Sequence, residues 1–189
     1  MELAARSGAL AWRHDGSGRV GLETAHFRRQ ADGWVFNGTT EATEDGRTWT
    51  VSYELVVDAG WRTRRASVTT GTRSVLLTAD GAGHWQVDGE PAPGLAGCLD
   101  VDLESSALTN AFPVHRLGLA VGESADAPAA YVRVAEPAMR PLAQRYTRIE
   151  DDEHGERYDY VAPEFDVHTV VAYDRTGFVR SYPGIAVRV

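Results

Sequence analysis

The chain has 189 residues, 43% of them hydrophobic and 24% charged, which is enough apolar material to bury the core of one generous domain and too much for a disordered chain. Its net charge of -8 argues against nucleic acid, which needs a basic face to release phosphate counterions. All 19 basic residues are arginine, a bias that coding-DNA composition explains more simply than selection for bidentate anion contacts, and the single cysteine, Cys98, excludes an internal disulfide and a thiolate metal cluster.

The opening stretch Met1–Arg6 places an acid where an export signal needs positive charge, and no later run approaches the roughly 18 apolar residues of a membrane helix. A cytoplasmic protein without a transmembrane segment is expected, so the sequon Asn37-Gly38-Thr39 reads as accidental. Period-2 alternation then runs from end to end. Val51, Tyr53, Leu55 and Val57 share one face, and Phe165, Val167, Thr169, Val171 and Tyr173 share another.

Between these runs stands hairpin chemistry. Asp80-Gly81-Ala82-Gly83 joins Ser74–Ala79 to His84–Val87, Asp88-Gly89 turns the chain again, and Asp174-Arg175-Thr176-Gly177 joins two late strands. Asp15-Gly16, Asp32-Gly33 and Asp45-Gly46 mark further turns. The spacing predicts on the order of a dozen strands in an antiparallel sheet with one packed face.

Helix signals are few. Ser105–Asn110 has room for one helical turn, and Pro137 and Pro141 limit Glu136–Arg145 to a short helix or turn. Gly122–Pro128 reads as an exposed loop within a single domain, residues 1–189. A weak internal echo, with halves 1–121 and 129–189, relates Val56–Arg64 to Ala172–Arg180: a strand, an acidic turn with glycine, an aromatic residue and an arginine.

The densest polar segment is Gly97–Glu104, followed by Thr109–Leu117. Alternation puts Asp100, Asp102 and Glu104 on one strand face and Leu99, Val101 and Leu103 on the other. That acidic face is either solvated or turned into a cavity. If it is buried, the carboxylates need charged partners, for which Arg64 and Arg116 are the candidates.

The Asp-Val-Asp triplet has the form of a nucleotide-sugar transferase metal motif, but the α/β scaffold of such enzymes is missing. The six histidines show no metal-ligand spacing, and no phosphate loop, dinucleotide fingerprint or nucleophile elbow is present, so neither a metal nor a cofactor is expected. The five tryptophans, Trp12, Trp34, Trp49, Trp61 and Trp85, read as core, with Trp61 and Trp85 beside turns and so nearest a cavity rim.

Taken together, Tyr53–Asp58, Trp61–Arg64, Asp80-Gly81 with Trp85 and Asp88-Gly89, Gly97–Leu103, Thr109-Asn110 and Tyr182-Pro183-Gly184 resemble the bacterial family described as "putative glycolipid-binding". The resemblance spans nearly the whole chain, and Gly-Cys-Leu-Asp-Val-Asp-Leu is its most specific block. It implies an all-β, many-stranded antiparallel barrel or half-barrel, similar to lipoprotein carriers of the bacterial envelope, with one or two short helices at most. It brings no catalytic residues. It points to Arg64, Asp100, Asp102, Asn110 and Arg116 as ligand-binding positions.

Three readings stand side by side. One is a carrier holding an amphipathic small molecule or lipid in a cavity of several hundred cubic ångströms. Another is a hydrolase or isomerase using Asp100 or Asp102 with His115. The last is an interaction module with an open sheet face.

Overall fold

The computed structural model describes residues 6–14, 16, 18–133 and 139–189. Its first half is a meander of long hairpins: β1 (Ser7–His14), β2 (Arg19–Gln30), β3 (Gly33–Glu44), β4 (Arg47–Asp58), β5 (Thr63–Thr70), β6 (Arg73–Ala79), β7 (Trp85–Val87) and β8 (Glu90–Pro91). The chain then dives inward through β9 (Asp100–Leu103), a 3-10 turn at Leu108–Asn110 and the helix α1 (Ala111–Leu117). It returns through β10 (Ser124–Asp126), β11 (Ala129–Val132), β12 (Met139–Leu142), β13 (Arg145–Asp152), β14 (Gly155–Ala162), β15 (Val167–Tyr173), β16 (Val179–Tyr182) and β17 (Ala186–Arg188).

Fourteen of these strands form one antiparallel sheet in the order β10-β13-β14-β15-β16-β17-β1-β2-β3-β4-β5-β6-β7-β8. The last strand, β17, pairs with the first, β1, so the two ends of the chain meet in mid-sheet. The sheet is not closed, since β10 and β8 are its free edges; the expected barrel is therefore only approximate. Among the described residues the antiparallel pattern has one exception, a three-stranded sheet β12-β11-β9 in which β11 and β9 run parallel.

Alternation works as expected in β4, whose Val51, Tyr53, Leu55 and Val57 are all buried. In β15 it holds only from Val167 onward, because Phe165 belongs to a 3-10 turn and is exposed. Gly122–Pro128 is not simply a loop, since β10 pairs there with β13. Nor is Met139–Leu142 helical. Pro141 is accommodated because β12 is an edge strand, where a missing N–H costs no ladder bond. The preceding Pro137 and the turn residue Asp15 lie outside the described residues.

Three corners share one design. Asp58, Asp80 and Asp174 each use Oδ1 to accept the backbone N–H groups two and four residues on, from Gly60 and Arg62, Ala82 and His84, and Thr176 and Phe178. The third residue after each aspartate has positive φ: Gly83 at 93°, Gly177 at 79°, and Trp61 at 63°. In space, therefore, Trp61 matches Gly177 rather than Phe178, one residue away from the match read in the sequence. A tryptophan in the left-handed region is strained; burial and close stacking on His115 hold it there.

What fills the concave face is the chain itself. The segment 99–117 is a plug, and its polar backbone finds partners on β2 and β3. Thr40 Oγ1 donates to the Ser105 carbonyl (2.7 Å), and Arg19 Nη1 donates to the Glu104 carbonyl (2.9 Å). Glu23, fully buried, accepts from Ala107 N–H (2.7 Å), Tyr53 Oη (2.6 Å) and Ser106 Oγ, with His14 Nε2 at 3.3 Å. Tyr53 reaches this carboxylate only because its cross-strand neighbour is Gly38; a Cβ there would fall 2.3 Å from the ring.

Replacing Glu23 with alanine would leave these donors buried without an acceptor. Glu23→Ala is expected to lower the unfolding free energy by about 3 kcal/mol or more, and Glu23→Gln, which keeps one acceptor, by less. Urea denaturation of the three proteins measures this.

Candidate functional site

The acidic strand faces the interior, as one branch of the sequence reading required, but its acids go to different places. Asp100 is 1% exposed. Arg116, on α1, grips it with Nε at 3.1 and 3.2 Å and Nη2 at 2.5 Å. Burial pushes the Asp100 carboxyl upward and Arg116 pulls it back. This pair joins helix to strand. Of the two arginines proposed as partners, Arg64 is not one, since it lies on the outer side near Asp58 (3.6 Å) and donates to the Ala79 carbonyl (3.1 Å).

Asp102 points into a cleft of about 220 Å³ at one end of the interior. Its carboxylate accepts from Gln144 Nε2 and from Thr109 Oγ1 (3.3 Å), and no arginine pairs with it among the described residues. Burial raises its pKa to about 6. Tyr131, Tyr160, Tyr182 and Phe165 supply aromatic walls, with Leu142, Val167 and Ile185 beside them. The mouth carries Glu44 and Glu104, with Arg19 between them: Arg19 Nη2 lies 3.1 and 3.2 Å from the Glu44 carboxylate oxygens and 3.6 Å from Glu104. Asn110 also lines the cleft, where its Oδ1 accepts from Tyr146 (3.3 Å) and its carbonyl from Tyr173 (3.2 Å).

So Asp102 and Asn110 share the cleft, Asp100 and Arg116 form a buried brace beside it, and Arg64 is elsewhere. Trp61 and Trp85 are not rim residues. Both are buried: Trp61 stacks within the Phe36–Phe112 cluster, and Trp85 Nε1 donates to the Cys98 carbonyl (2.8 Å). The cavity is smaller than expected, because the plug occupies most of the interior. It falls below the roughly 300–1,000 Å³ of pockets that enclose a drug-sized ligand.

His115 stands apart from both acids. Its ring lies flat on Trp61, 3.6 Å between centroids and 3° between planes, with Phe178 edge-on at 5.8 Å. Burial lowers its pKa to about 4, so it is neutral near pH 7. Neither ring nitrogen meets hydrogen-bond geometry with a described residue, although the Thr176 backbone and Asp174 lie close enough to favour the charged form against the larger effect of burial. The Asp–His arrangement required for general acid–base chemistry is therefore not assembled. Cys98 is buried, and burial pushes its thiol to about 11, which makes it a core residue. Among the described residues no three of His, Cys, Asp and Glu come together as a metal-ligand set. No helix among them is long and apolar enough to cross a membrane.

Sequence reasoning passed over Glu23, Arg19, Gln144 and the tyrosine walls. One signal was present: Gly21, Glu23, Ala25 and Phe27 share a strand face, so an acid stood on an otherwise apolar stripe. Nothing local marked Gln144 or Arg19.

An open, strongly filled β-barrel-like fold with one aromatic, acid-bearing end cleft is the class that these features define. The family model described as "putative glycolipid-binding" matches residues 9–188, and the chain belongs to that family. A crystal structure of a DUF1089 family protein from Pseudomonas aeruginosa is similar at 34% identity and a TM-score of 0.78, over 88% of this chain and 92% of that one. A β-barrel-like protein of domain of unknown function DUF1849 from Brucella abortus shares the fold at 13% identity and a TM-score of 0.52, over 96% of this chain and 93% of that one. Comparison with curated proteins finds no match.

Two expectations follow from the acids. The Asp102 carboxyl is raised from its ordinary 3.8 to about 6, so its contribution to stability is full below pH 4 and is lost as pH rises through 6. Asp102→Asn should gain on the wild type by about 1–3 kcal/mol between pH 4 and pH 7, read from denaturation midpoints at both pH values. Arg116→Met strands Asp100 in the interior and should cost about 3–5 kcal/mol at pH 7, with part of the loss recovered at low pH as Asp100 protonates.

Proposed function

We propose that this protein binds an amphipathic small molecule of the glycolipid type, with the ligand's polar head in the end cleft. The observation that carries the reading is Asp102, a partly buried carboxylate without an ion pair among the described residues, set among three tyrosines and a phenylalanine. A carboxylate held by Gln144 and Thr109 presents fixed acceptor positions to hydroxyl groups, while the aromatic faces suit the apolar side of a sugar ring. The family description points the same way.

A cleft of about 220 Å³ equals roughly seven water volumes. That suits one ring-sized head or a short apolar segment and leaves acyl chains outside. The reading therefore differs from a lipocalin-like carrier that swallows its ligand whole. Acyl chains emerging from the mouth would lie against exposed Phe165 and the neighbouring surface.

Native mass spectrometry of the full chain purified under non-denaturing conditions, with organic extraction of what it carries, tests this. A co-purified glycolipid, or loading by a short-chain glycoside that falls about tenfold or more in Asp102→Ala and Tyr182→Ala, is the expected result. A protein that is empty and loads no member of a glycolipid panel would overturn the reading.

A further inference from the structure

Charge in the end cleft is one-sided. Among the described residues its lining holds three acids, Asp102, Glu44 and Glu104, and one cation, Arg19. Arg19 is engaged at the mouth, where its Nη2 meets both Glu44 and Glu104. Asp102, deeper in, has the neutral donors Gln144 and Thr109. The charged neighbours that act on it most, Asp100 and Glu104, are acids themselves. Asp100 shows the contrast, since the fold sets the Arg116 guanidinium directly against it. The acid enclosed in the packing has a cation built in, and the acid at the cleft faces whatever enters.

The walls around Asp102 supply a second, independent observation. Tyr160 and Tyr182 stand edge to face, with centroids 5.7 Å apart and planes at 74°. Tyr131 and Phe165 are inclined at 54°, with centroids 5.2 Å apart. Inclined rings make a corner, and the negative face of an aromatic ring attracts a cation. Burial, and after it the charge on Asp102, pushes the Tyr160 and Tyr182 hydroxyls far above the usual phenol range, so both rings are neutral near pH 7. The chain already places one cation of its own on these walls: Arg140, which is not part of the cleft lining, lies 5.7 Å from the Tyr131 centroid and 5.5 Å from that of Phe165. Among the described residues no arginine covers Tyr160 or Tyr182 in this way.

We infer that the head group taken into the cleft carries a protonated amine, as an amino sugar or an ethanolamine lipid does, with the ammonium held between the Asp102 carboxylate and the rings of Tyr160 and Tyr182. This rests on the reading of the cleft given above and names the class of head it selects. A sugar bearing hydroxyls alone would give Asp102 donors but no counter-charge. An ammonium gives both, and a charge-assisted hydrogen bond is the stronger kind. The ring faces widen the difference, because they attract a cation more than a neutral hydroxyl.

Isothermal titration calorimetry of the full chain at pH 7 compares butyl glucoside with butyl glucosaminide, which differ by one hydroxyl exchanged for an ammonium. The glucosaminide should bind about tenfold or more tighter. Asp102→Asn keeps the side chain's shape, loses its charge and is expected to be more stable than the wild type at this pH, so it should abolish the preference without unfolding the protein. Tyr182→Leu, which keeps bulk and removes the ring, should reduce the preference. A glucoside bound as tightly as the glucosaminide, or a preference that survives in Asp102→Asn, sinks the inference.

Dihexanoyl phosphatidylethanolamine, titrated alongside, separates the sources. The tighter of the two amines assigns the head to an amino sugar or to a phospholipid, and either one should lose affinity in Asp102→Asn. The remaining outcomes keep this inference apart from the reading beneath it. Both glycosides bound equally well leaves the glycolipid cleft standing and removes the ammonium. Butylammonium bound with neither glycoside keeps the ammonium and removes the glycolipid, and a cleft that binds none of these probes removes both.

Discussion

Glu23 carries a carboxylate in the middle of the apolar face of β2, and the plug is held to the wall through it. A buried acidic group in such a place is tolerable only when its oxygens are saturated with hydrogen-bond partners, and Tyr53, Ser106 and the Ala107 N–H supply them. Each of those donors has a reason to be there. Tyr53 leans across Gly38, and Ser106 and Ala107 belong to a turn that, being buried, cannot turn to water for its own hydrogen bonds. With Arg19 and Thr40 clamping the two preceding carbonyls, the turn is fixed, and β9 and α1 are fixed with it.

The shape of the cleft follows from that attachment. A strongly curved sheet left empty would enclose a large hollow, whereas here the interior is taken up by β9, α1 and the aromatic residues that pack on them. Among the described residues the end beyond Asp102 stays open. The plug also sorts the charges. Asp100, inside the packing, is neutralised by Arg116, while Asp102, two residues along the same strand face, emerges at the cleft and meets only neutral donors. The same alternation that makes a strand amphipathic thus gives one face a structural acid and, one step further along, an available one.

Much of this architecture was legible beforehand. Aspartate–glycine turns and period-2 runs predicted the hairpins, because a tight turn demands positive φ and a half-buried strand demands alternation; both are local requirements written into neighbouring residues. The inward orientation of Asp100 and Asp102 was one of two open alternatives, and Arg116 was rightly named as a partner. Arg64 failed as the other because the Asp58 corner leaves it on the outside. Trp61 and Trp85 failed as rim residues because a position beside a turn does not say which way a large side chain faces. The helix Ala111–Leu117 was missed, since Pro113 and the lack of a capping side chain hide a seven-residue helix that tertiary packing stabilises.

Length, period and turn chemistry by themselves determined that the chain is an antiparallel β protein rich in hairpins, and the order of its motifs placed it in its family. Tertiary structure alone decided that the sheet stays open, that its interior is filled by its own plug, and that the remaining cleft is small, aromatic and acidic. The physical reason is range. Strand and turn preferences act between residues a few places apart, whereas the contacts that shape the cleft join Glu23 to Ala107, Asp102 to Gln144 and Arg19 to Glu104, pairs that come together only when the sheet has curved around the segment it encloses.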